Sequence, residues 1–392
     1  MKRITILSQY WEPDLNGDVT RLKRCINILL KMGFEIILIT TIPHYVLSQR
    51  TKARTGLEIK GNLKVLRLWI PRIPHDSFNR RLVLYVWFMI ASTIPTLMYA
   101  RKGYLWAFSQ RVFSTYSCLL PKIIWRVKLI SDITDVWPEA LVNTGYANEN
   151  SFKFRFGRFL ALIAYKTSDK ISTLTPAMAR LIVKNYRVKP EKITIIPNIG
   201  DHFNFQEPKF TNPFIVLYYG NLGKNYDFEI LLETAKIINN KSVLFVIKGN
   251  GEQLTYLKQR IKEMNLRNVH IITKILTKEE LQTLVQSANV LILPMKPQII
   301  EDTSFPIKLV EYLHQGRPII YMGNGFAFKL IRDHNVGLAL NKRKPEHIAN
   351  FILELMENKE KAIQMAYSAK NLASKMFSEE KLLIGLKETF NQ

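Results

Sequence analysis

The chain has 392 residues, 47% of them hydrophobic, and its 56 Lys and Arg outnumber 32 Asp and Glu to give a net charge of +24. This length predicts two domains, and the composition excludes a disordered chain or a small disulfide scaffold. The two cysteines, Cys25 and Cys118, have no metal-ligand spacing, so we expect buried thiols in a reducing compartment and neither redox nor zinc chemistry.

Short apolar runs alternate with amphipathic stretches through the first half, which is typical of a parallel sheet with crossover helices. A helix predicted over Asp18 to Met32 ends at Gly33. The predicted strands are Ile4 to Ser8, Glu35 to Thr40, Leu63 to Trp69, Leu105 to Ser109, Leu129 to Ile133, Lys170 to Leu174 and Thr194 to Ile196. We expect them to form one Rossmann-like sheet.

Residues 201–213 contain two prolines and several turn formers, and they predict a linker. The alternation restarts at the strand Ile215 to Tyr219 and continues to the strand Pro318 to Tyr321, which predicts a second doubly wound domain. The predicted boundaries are a first domain over residues 1–205, a second domain over 206–377, and a C-terminal helix over 378–392 that is expected to pack back on the first domain.

The positive charge is concentrated in residues 1–200, which hold 31 Lys and Arg against 12 Asp and Glu. Such a charge attracts polyanions, but no nucleic-acid recognition motif is visible, so an anionic membrane is the better candidate. Residues 82–100 carry no charge and are bracketed by basic residues, which marks a segment near 80–102 as membrane-facing. The segment is an interfacial helix, a buried helix or a true span.

Loops that follow strands are the expected ligand sites, because doubly wound sheets bind ligands beyond the carboxyl ends of their strands. The loop after the first strand of the second half contains Gly220, Asn221, Gly223 and Lys224. Glycine lets the backbone approach a phosphate, and lysine neutralises it. Gly249 and Gly251 follow the next strand and offer the same opportunity. Each loop alone is equally compatible with an ordinary turn.

A stronger signal is the segment from Thr303 to Tyr312. Ser304 is a natural N-cap and Pro306 suits a first helical turn, so the amides near Ile307 and Lys308 are predicted to face an anion. Lys308 adds a positive charge, and Glu311 could accept hydrogen bonds from ribose hydroxyls. The alternative is a capped surface helix whose charges face water.

Five motifs in order resemble glycosyltransferase family 4, a group of GT-B enzymes, in its envelope-polysaccharide subgroup. They are Tyr10 to Pro13 with Asn16, Gly17 and Asp18; Asp135 to Glu139; Ile196 to Asn198; Tyr219 to Gly223; and Phe305 to Tyr312 with Gly316 to Pro318. The resemblance covers most of the chain. It implies an α/β GT-B fold, with two doubly wound Rossmann-like domains facing a central cleft.

The resemblance further implies that a nucleotide diphosphate sugar is the donor and that transfer proceeds with retention. Its diphosphate would lie against Gly220, Lys224 and the helix starting near Ile307, with Pro306 and Leu309 beside it and the ribose on Glu311. The base would lie near Gly249 and Gly251. Members of this kind work without a metal or cofactor, and the sequence has no Asp-x-Asp triplet. Lysines and helix amides would then stabilise the leaving diphosphate.

Two departures from the family pattern concern the sugar and the acceptor. Thr303 stands where the family often has a glutamate eight positions before Glu311, and Asn16, Gly17 and Asp18 replace a loop with two adjacent glycines. Asp135, just after a strand, is the candidate catalytic or positioning group for the acceptor hydroxyl, unless it only caps a turn. The histidines His44, His75 and His202 are expected to be solvated.

The leading hypothesis is transfer of a hexose or N-acetylhexosamine to a lipid-linked or other membrane-held glycan. The predicted location is cytoplasmic and peripheral, on the inner face of the cell membrane, with no nucleic-acid partner. The sequence leaves two alternatives, a nucleotide-sugar epimerase of similar fold and a non-enzymatic basic protein that binds membrane surfaces.

Overall fold

The computed structural model describes residues 2–14, 16–44, 54–74, 77–109, 112–200, 205–210, 212–239 and 242–391. The chain divides into two compact units. Unit 1 comprises Met1–Asn198, Asp302–Phe305 and Glu379–Gln392, and unit 2 comprises Ile199–Glu301 and Pro306–Ser378. The first division falls between Asn198 and Ile199 rather than after residue 205, and four residues before Pro306 belong to unit 1.

Unit 1 alternates strands and helices. Its strands are β1 (Arg3–Leu7), β2 (Glu35–Thr41), β3 (Gly56–Lys60), β4 (Leu63–Leu68), β5 (Tyr104–Ser109), β6 (Lys128–Ile133), β7 (Lys170–Thr173) and β8 (Ile193–Ile195). The helices between them are α1 (Gly17–Lys31), α2 (Phe78–Tyr99), α3 (Phe113–Trp125), α4 (Glu139–Asn143), α5 (Phe152–Thr167) and α6 (Pro176–Tyr186).

The unit 1 strands form one sheet in the order β3-β4-β2-β1-β5-β6-β7-β8. All neighbours are parallel except β3 and β4, which form an antiparallel hairpin at the edge. After their first residues the central strands are buried and mostly apolar, as expected for a parallel sheet with helices on its faces. Cys25 and Cys118 are buried in this unit, as predicted.

Unit 2 repeats the alternation. Its elements in chain order are β9 (Phe214–Tyr219), α7 (Phe228–Ile238), β10 (Val243–Lys248), α8 (Leu254–Glu263), β11 (Val269–Ile272), α9 (Lys278–Ser287), β12 (Val290–Pro294), α10 (Ile307–Gln315), β13 (Ile319–Met322), α11 (Gly325–Asp333), β14 (Gly337–Leu340), α12 (Pro345–Glu357) and α13 (Lys359–Met376). The sheet order is β11-β10-β9-β12-β13-β14, entirely parallel. Numbered from its own first strand, this is the 3-2-1-4-5-6 order of dinucleotide-binding folds.

The C-terminal helix α14 (Glu379–Thr389) belongs to unit 1. Phe390, just beyond it, is fully buried and packs against the rings of Phe34 and Trp106. The Thr194 and Thr389 hydroxyls are hydrogen-bonded at 2.7 Å. The last residues therefore complete the core of the first unit, although α13 before them lies in unit 2.

Several elements differ from the sequence-based expectation. The hairpin strand β3 and the edge strand β14 were not anticipated, because their residues are mostly exposed or half-buried and carry no clear apolar pattern. Helix α1 begins at Gly17 rather than Asp18, since the Asn16 side chain accepts the Val19 N–H and makes Asn16 the N-cap.

Candidate functional site

The strand order of unit 2 indicates where a ligand is expected to bind. β9 lies between β10 and β12, so the chain leaves β9 toward one edge of the sheet and later returns to build the other edge from β12. In doubly wound sheets the crevice at this switch point, beyond the carboxyl ends of the strands, holds the ligand. The loops that would line this crevice are those after β9, β10 and β12.

The loops after β9 and β10 are bonded into one surface. The Gly220 N–H donates to the Lys248 carbonyl at 2.9 Å, and the Leu222 N–H donates to the Asn250 carbonyl at 2.9 Å. A Cβ on Gly249 would stand 1.9 Å from the Gly220 carbonyl oxygen, and one on Gly251 would stand 2.6 Å from Asn221 Oδ1. Glycine is thus required at 249 and 251 for the two loops to meet. The same lack of a side chain would also let a phosphate group come close to the backbone of these loops.

Lys308, in the first turn of α10, lies directly over Gly220. A Cβ built on Gly220 would be 1.9 Å from Lys308 Cε and 2.5 Å from Nζ, and the Gly220 backbone has φ +140°. The ammonium group also lies 5.7 Å from the centre of the Tyr226 ring. Burial lowers the pKa of Lys308 below its ordinary value, and the charge of Glu311 opposes this only in part. A desolvated ammonium group at the end of β9 would gain from an anionic partner.

The start of α10 differs from the prediction. Pro306 is the N-cap, without a side-chain capping hydrogen bond, so the assignment of Ser304 as N-cap and of Pro306 to the first turn was wrong. Ser304 instead forms an antiparallel bridge with Asp135 within unit 1. Without a side-chain cap, the amides of Ile307 and Lys308 at the helix start have no intrahelical acceptor and favour an anion.

Tyr312 fixes α10 onto β9. Its buried hydroxyl accepts the Tyr219 N–H at 3.0 Å and donates to the Tyr219 carbonyl at 3.1 Å. The helix is therefore registered against the strand whose next residue is Gly220. Glu311, half-buried, lies one turn after Lys308 on the same helix. This hydroxyl bridge was missed by the sequence analysis, where Tyr312 counted only as a motif position.

Two of the predicted donor residues are placed differently from the cluster around Lys308. The Lys224 ammonium is largely exposed and lies 3.6 Å from a Glu252 carboxylate oxygen. Its contact with a diphosphate remains a prediction. The Leu309 side chain is fully buried and its N–H donates to the Pro306 carbonyl at 3.0 Å. Leu309 therefore contributes packing beneath the site. The Gly223 carbonyl accepts the Gln253 side-chain amide at 2.6 Å, which holds its loop to the start of α8.

In unit 1, the predicted acceptor-side residues surround the start of α1. Asn16 caps the helix, Gly17 is exposed, and Asp18 is a half-buried acid in the first turn. A carboxylate there is favoured by the helix dipole. The start of α1 thus presents the Asp18 carboxylate beside an exposed glycine.

His44 was expected to be solvated, and that expectation was wrong. It is buried, its ring stacks on Tyr10 at 5.1 Å between centroids, and its nitrogens lie 3.0 Å from Gln9 Nε2 and Thr41 Oγ1. The backbone N–H of His44 donates to Asp14 Oδ1 at 3.2 Å. The network ties the loop after β1 to the loop after β2. His44 closely follows a predicted strand, but that position alone does not distinguish a buried histidine from a solvated one. His75 and His202 lie outside the described residues.

Asp135 lies just after β6, as predicted, and is half-buried. Next to it, the Val136 N–H donates to the Thr303 carbonyl at 2.6 Å, and Asn143 Nδ2 donates to Thr303 Oγ1 at 2.7 Å. Thr303 is fully buried. The residue at the family's earlier glutamate position therefore braces the Asp135 loop within unit 1.

A buried ion pair that the sequence analysis missed underlies this loop. Arg21 Nη2 lies 3.0 Å from Asp132 Oδ1, and Arg21 Nη1 donates to the Pro197 carbonyl at 3.1 Å and to Asn198 Oδ1 at 3.3 Å. Burial is the largest influence on the pKa of Arg21 and lowers it, but the charge of Asp132, the hydrogen bond to Asp132 and the other nearby groups together raise the pKa above its ordinary value. Ser172 donates to the same carboxylate at 2.5 Å. The Arg21 side chain therefore connects α1, β6 and the segment at Pro197 and Asn198, where the chain first leaves unit 1.

Comparisons with known proteins agree with this architecture. Residues 201–372 match the family model described as glycosyl transferases group 1. The curated relatives that the chain matches include proteins named as glycosyltransferases. WcaI of Escherichia coli (strain K12), named a putative colanic acid biosynthesis glycosyl transferase, is 24% identical over 68% of this chain and 70% of its own length. The curated relatives are matched over about two thirds of their length or less.

Solved structures show the fold over the whole chain. Sucrose-phosphate synthase from Thermosynechococcus elongatus has a TM-score of 0.78 at 15% identity, covering 100% of this chain and 99% of that one. Anabaena HepE, solved in complex with UDP-glucose, has a TM-score of 0.70 at 15% identity, covering 100% of both chains. The expected GT-B fold with two Rossmann-like domains is confirmed.

Proposed function

We propose that this protein transfers a hexose or N-acetylhexosamine from a nucleotide diphosphate sugar to a lipid-linked or other membrane-held glycan. Transfer would proceed with retention of the anomeric configuration and without a metal. The observation that carries the proposal is the contact between Lys308 and Gly220, at the switch point of the unit 2 sheet.

The physical case starts from the charge of Lys308. A desolvated ammonium group with a lowered pKa is destabilised until an anion binds beside it. The uncapped amides at the start of α10 add partial positive charge on the same turn. As the glycosidic bond to the donor breaks, negative charge grows on the diphosphate, so the same groups stabilise the leaving group more than the ground state. This would supply the charge that a metal supplies elsewhere.

The remaining roles follow from placement. Glu311, one turn along α10, would accept hydrogen bonds from the ribose hydroxyls, and Gly249 and Gly251 would leave space for the base. Asp135 of unit 1 would position the acceptor hydroxyl, with the leaving phosphate taking its proton. The UDP-glucose bound by HepE supports a nucleotide sugar as donor, and the name of WcaI supports an envelope polysaccharide as product.

A membrane-held acceptor is supported by charge and by α2. This helix is the single one among the described residues that is long and apolar enough to cross a bilayer, with 28% of its most apolar window buried. Together with the basic excess of residues 1–200, it favours a peripheral location on the inner face of the cell membrane.

The test measures nucleotide diphosphate release from a panel of sugar nucleotides, with and without membrane extract as the source of acceptor, and binding of UDP, GDP and ADP by calorimetry. Lys308→Ala should weaken binding of the preferred nucleotide about 10- to 100-fold, the range for a charge-assisted hydrogen bond. Glu311→Ala should also weaken it. Turnover should persist with EDTA.

Lys375→Ala and Glu357→Ala, on exposed positions of α13 and α12, are matched controls and should leave both measurements unchanged. If Lys308→Ala and Glu311→Ala behave like these controls, the donor site is wrongly assigned. Sugar interconversion without any acceptor would instead favour an epimerase, and absence of nucleotide binding would favour a membrane-surface protein.

A further inference from the structure

The outer face of α2 is an apolar stripe that the protein leaves uncovered. Its exposed residues recur at helical spacing, with Ile94 68% exposed. They are Val83, Trp87, Ile90, Ile94 and Met98. The opposite face of the helix, including Leu84 and Phe88, is buried against unit 1. A helix packed in this way on one side can lie in a membrane interface but cannot be surrounded by lipid as a span.

Helix α3 extends this stripe. Ser92 Oγ donates to Ser117 Oγ at 3.0 Å, and Trp125 Nε1 donates to the Leu97 carbonyl at 2.9 Å, so α2 and α3 lie side by side. The end of α3 exposes Leu120, Ile123, Ile124 and Trp125, with Ile123 74% exposed. The Arg101 guanidinium lies 5.6 Å from the centre of the Trp125 ring. Tryptophan with arginine at an apolar rim is typical of a membrane–water interface.

Helix α5 adds a third stripe, which the sequence analysis did not single out. Phe152, Phe156 and Phe159 recur at helical spacing on its exposed side, and Phe152 is 80% exposed. The Tyr116 hydroxyl on α3 donates to the Leu160 carbonyl of α5 at 2.8 Å, which holds the two helices together. The inner face of α5 is closed by small residues and buried rings.

The charge of these helices favours an anionic bilayer as the binding partner of this surface. No Asp or Glu occurs in residues 77–131 or 150–168, which contain all of α2, α3 and α5. Basic side chains are exposed at the edges, among them Arg80, Arg101, Arg126, Lys153 and Arg155. A protein partner would not require every acid to be missing, whereas an anionic bilayer repels acids and attracts basic rims over the whole contact.

We propose that the outer faces of α2, α3 and α5 together form one docking surface for an anionic bilayer, with the phenylalanine stripe of α5 inserted beside α3. The protein would lie with these three helices in the plane of the headgroups. This inference rests on the proposed membrane-held acceptor, and it is tested without turnover, so that its failure and a failure of the proposed function are distinguishable.

The test is sedimentation of the full chain with vesicles of phosphatidylcholine containing about 30% phosphatidylglycerol. The triple change Phe152→Ser, Phe156→Ser and Phe159→Ser should weaken binding about tenfold or more. Lys153→Gln with Arg155→Gln should weaken it about tenfold on anionic vesicles at low salt and leave the weak binding to neutral vesicles unchanged. The matched control is Ile237→Ser with Leu353→Ser, two exposed apolar residues of unit 2, which should have no effect.

A second measurement covers the case in which the triple variant does not fold. An environment-sensitive fluorophore on Phe156→Cys, selective because Cys25 and Cys118 are buried, should shift to the blue when vesicles are added. The same label on Ile237→Cys should not shift. Unchanged pelleting of a folded triple variant, or no shift at position 156, would overturn the proposal. The proposal would also be overturned if the protein formed a dimer in lipid-free solution and the triple variant were monomeric, because the stripe would then contact a second copy of the chain.

Discussion

Replacement of Gly220 by alanine tests the central contact of the donor site. The new Cβ would stand 1.9 Å from Lys308 Cε, and the backbone at φ +140° is a conformation that L side chains rarely adopt. Holding alanine there costs about 1–3 kcal/mol. The clash is with the end of a flexible side chain, so we expect the Lys308 ammonium to be displaced while the fold survives.

The expected result has two parts. The free energy of unfolding should fall by about 1–3 kcal/mol from the strained backbone. The dissociation constant for the preferred nucleotide diphosphate should rise about 10- to 100-fold, because a charge-assisted hydrogen bond is lost. Urea denaturation measures the first quantity, and calorimetric titration measures the second.

Gly33→Ala is the control that separates the effect of backbone strain on stability from the effect of displacing the Lys308 ammonium group. Gly33 has φ +83°, and no atom lies within 4 Å of the point where a Cβ would stand, so alanine there should lower stability without changing nucleotide affinity. In a double-mutant cycle with Lys308→Ala, the Gly220→Ala effect on binding should largely vanish, since both changes remove one interaction. Additive effects on binding would refute the reasoning.

Three further outcomes are expected. Nucleotide affinity of the native protein, measured by calorimetry, should fall as the pH rises through the lowered pKa of Lys308, because only the ammonium form attracts the diphosphate. The affinity of Lys308→Arg should not change over the same pH range, because the guanidinium stays charged. Arg21→Met should lower the free energy of unfolding by about 3–5 kcal/mol in urea, since it leaves the Asp132 carboxylate buried without its cation, and adding Asp132→Asn should recover part of the loss. Tyr312→Phe should reduce stability by about 1–3 kcal/mol in thermal melts, because the buried Tyr219 N–H loses its acceptor.

Much of the proposed donor site could be predicted from local chemistry. Gly220, Gly249 and Gly251 follow strands, and glycine after a parallel strand marks a place where backbones meet or a ligand approaches. The structure brings the three together with Lys308. Ser304 misled the prediction of the helix start, because N-cap preference is local while the pairing of Ser304 with Asp135 is made between residues far apart in the chain.

The acceptor side was less readable. Asp135 could be placed after β6 from the strand pattern, but the burial of His44 and the pairing of Arg21 with Asp132 depend on loops and helices far apart in sequence. A histidine or arginine in isolation has no signature that distinguishes a solvated side chain from one enclosed by partners.

The sequence by itself determined the two Rossmann-like domains and the glycine loops that follow their strands, because periodicity and turn chemistry are local properties. Only the tertiary structure decided that Lys308 lies on Gly220, that Arg21 pairs with Asp132, and that α5 exposes its phenylalanines beside α3. Those arrangements depend on which faces are covered by other parts of the chain, and burial is set by packing between segments that are distant in sequence.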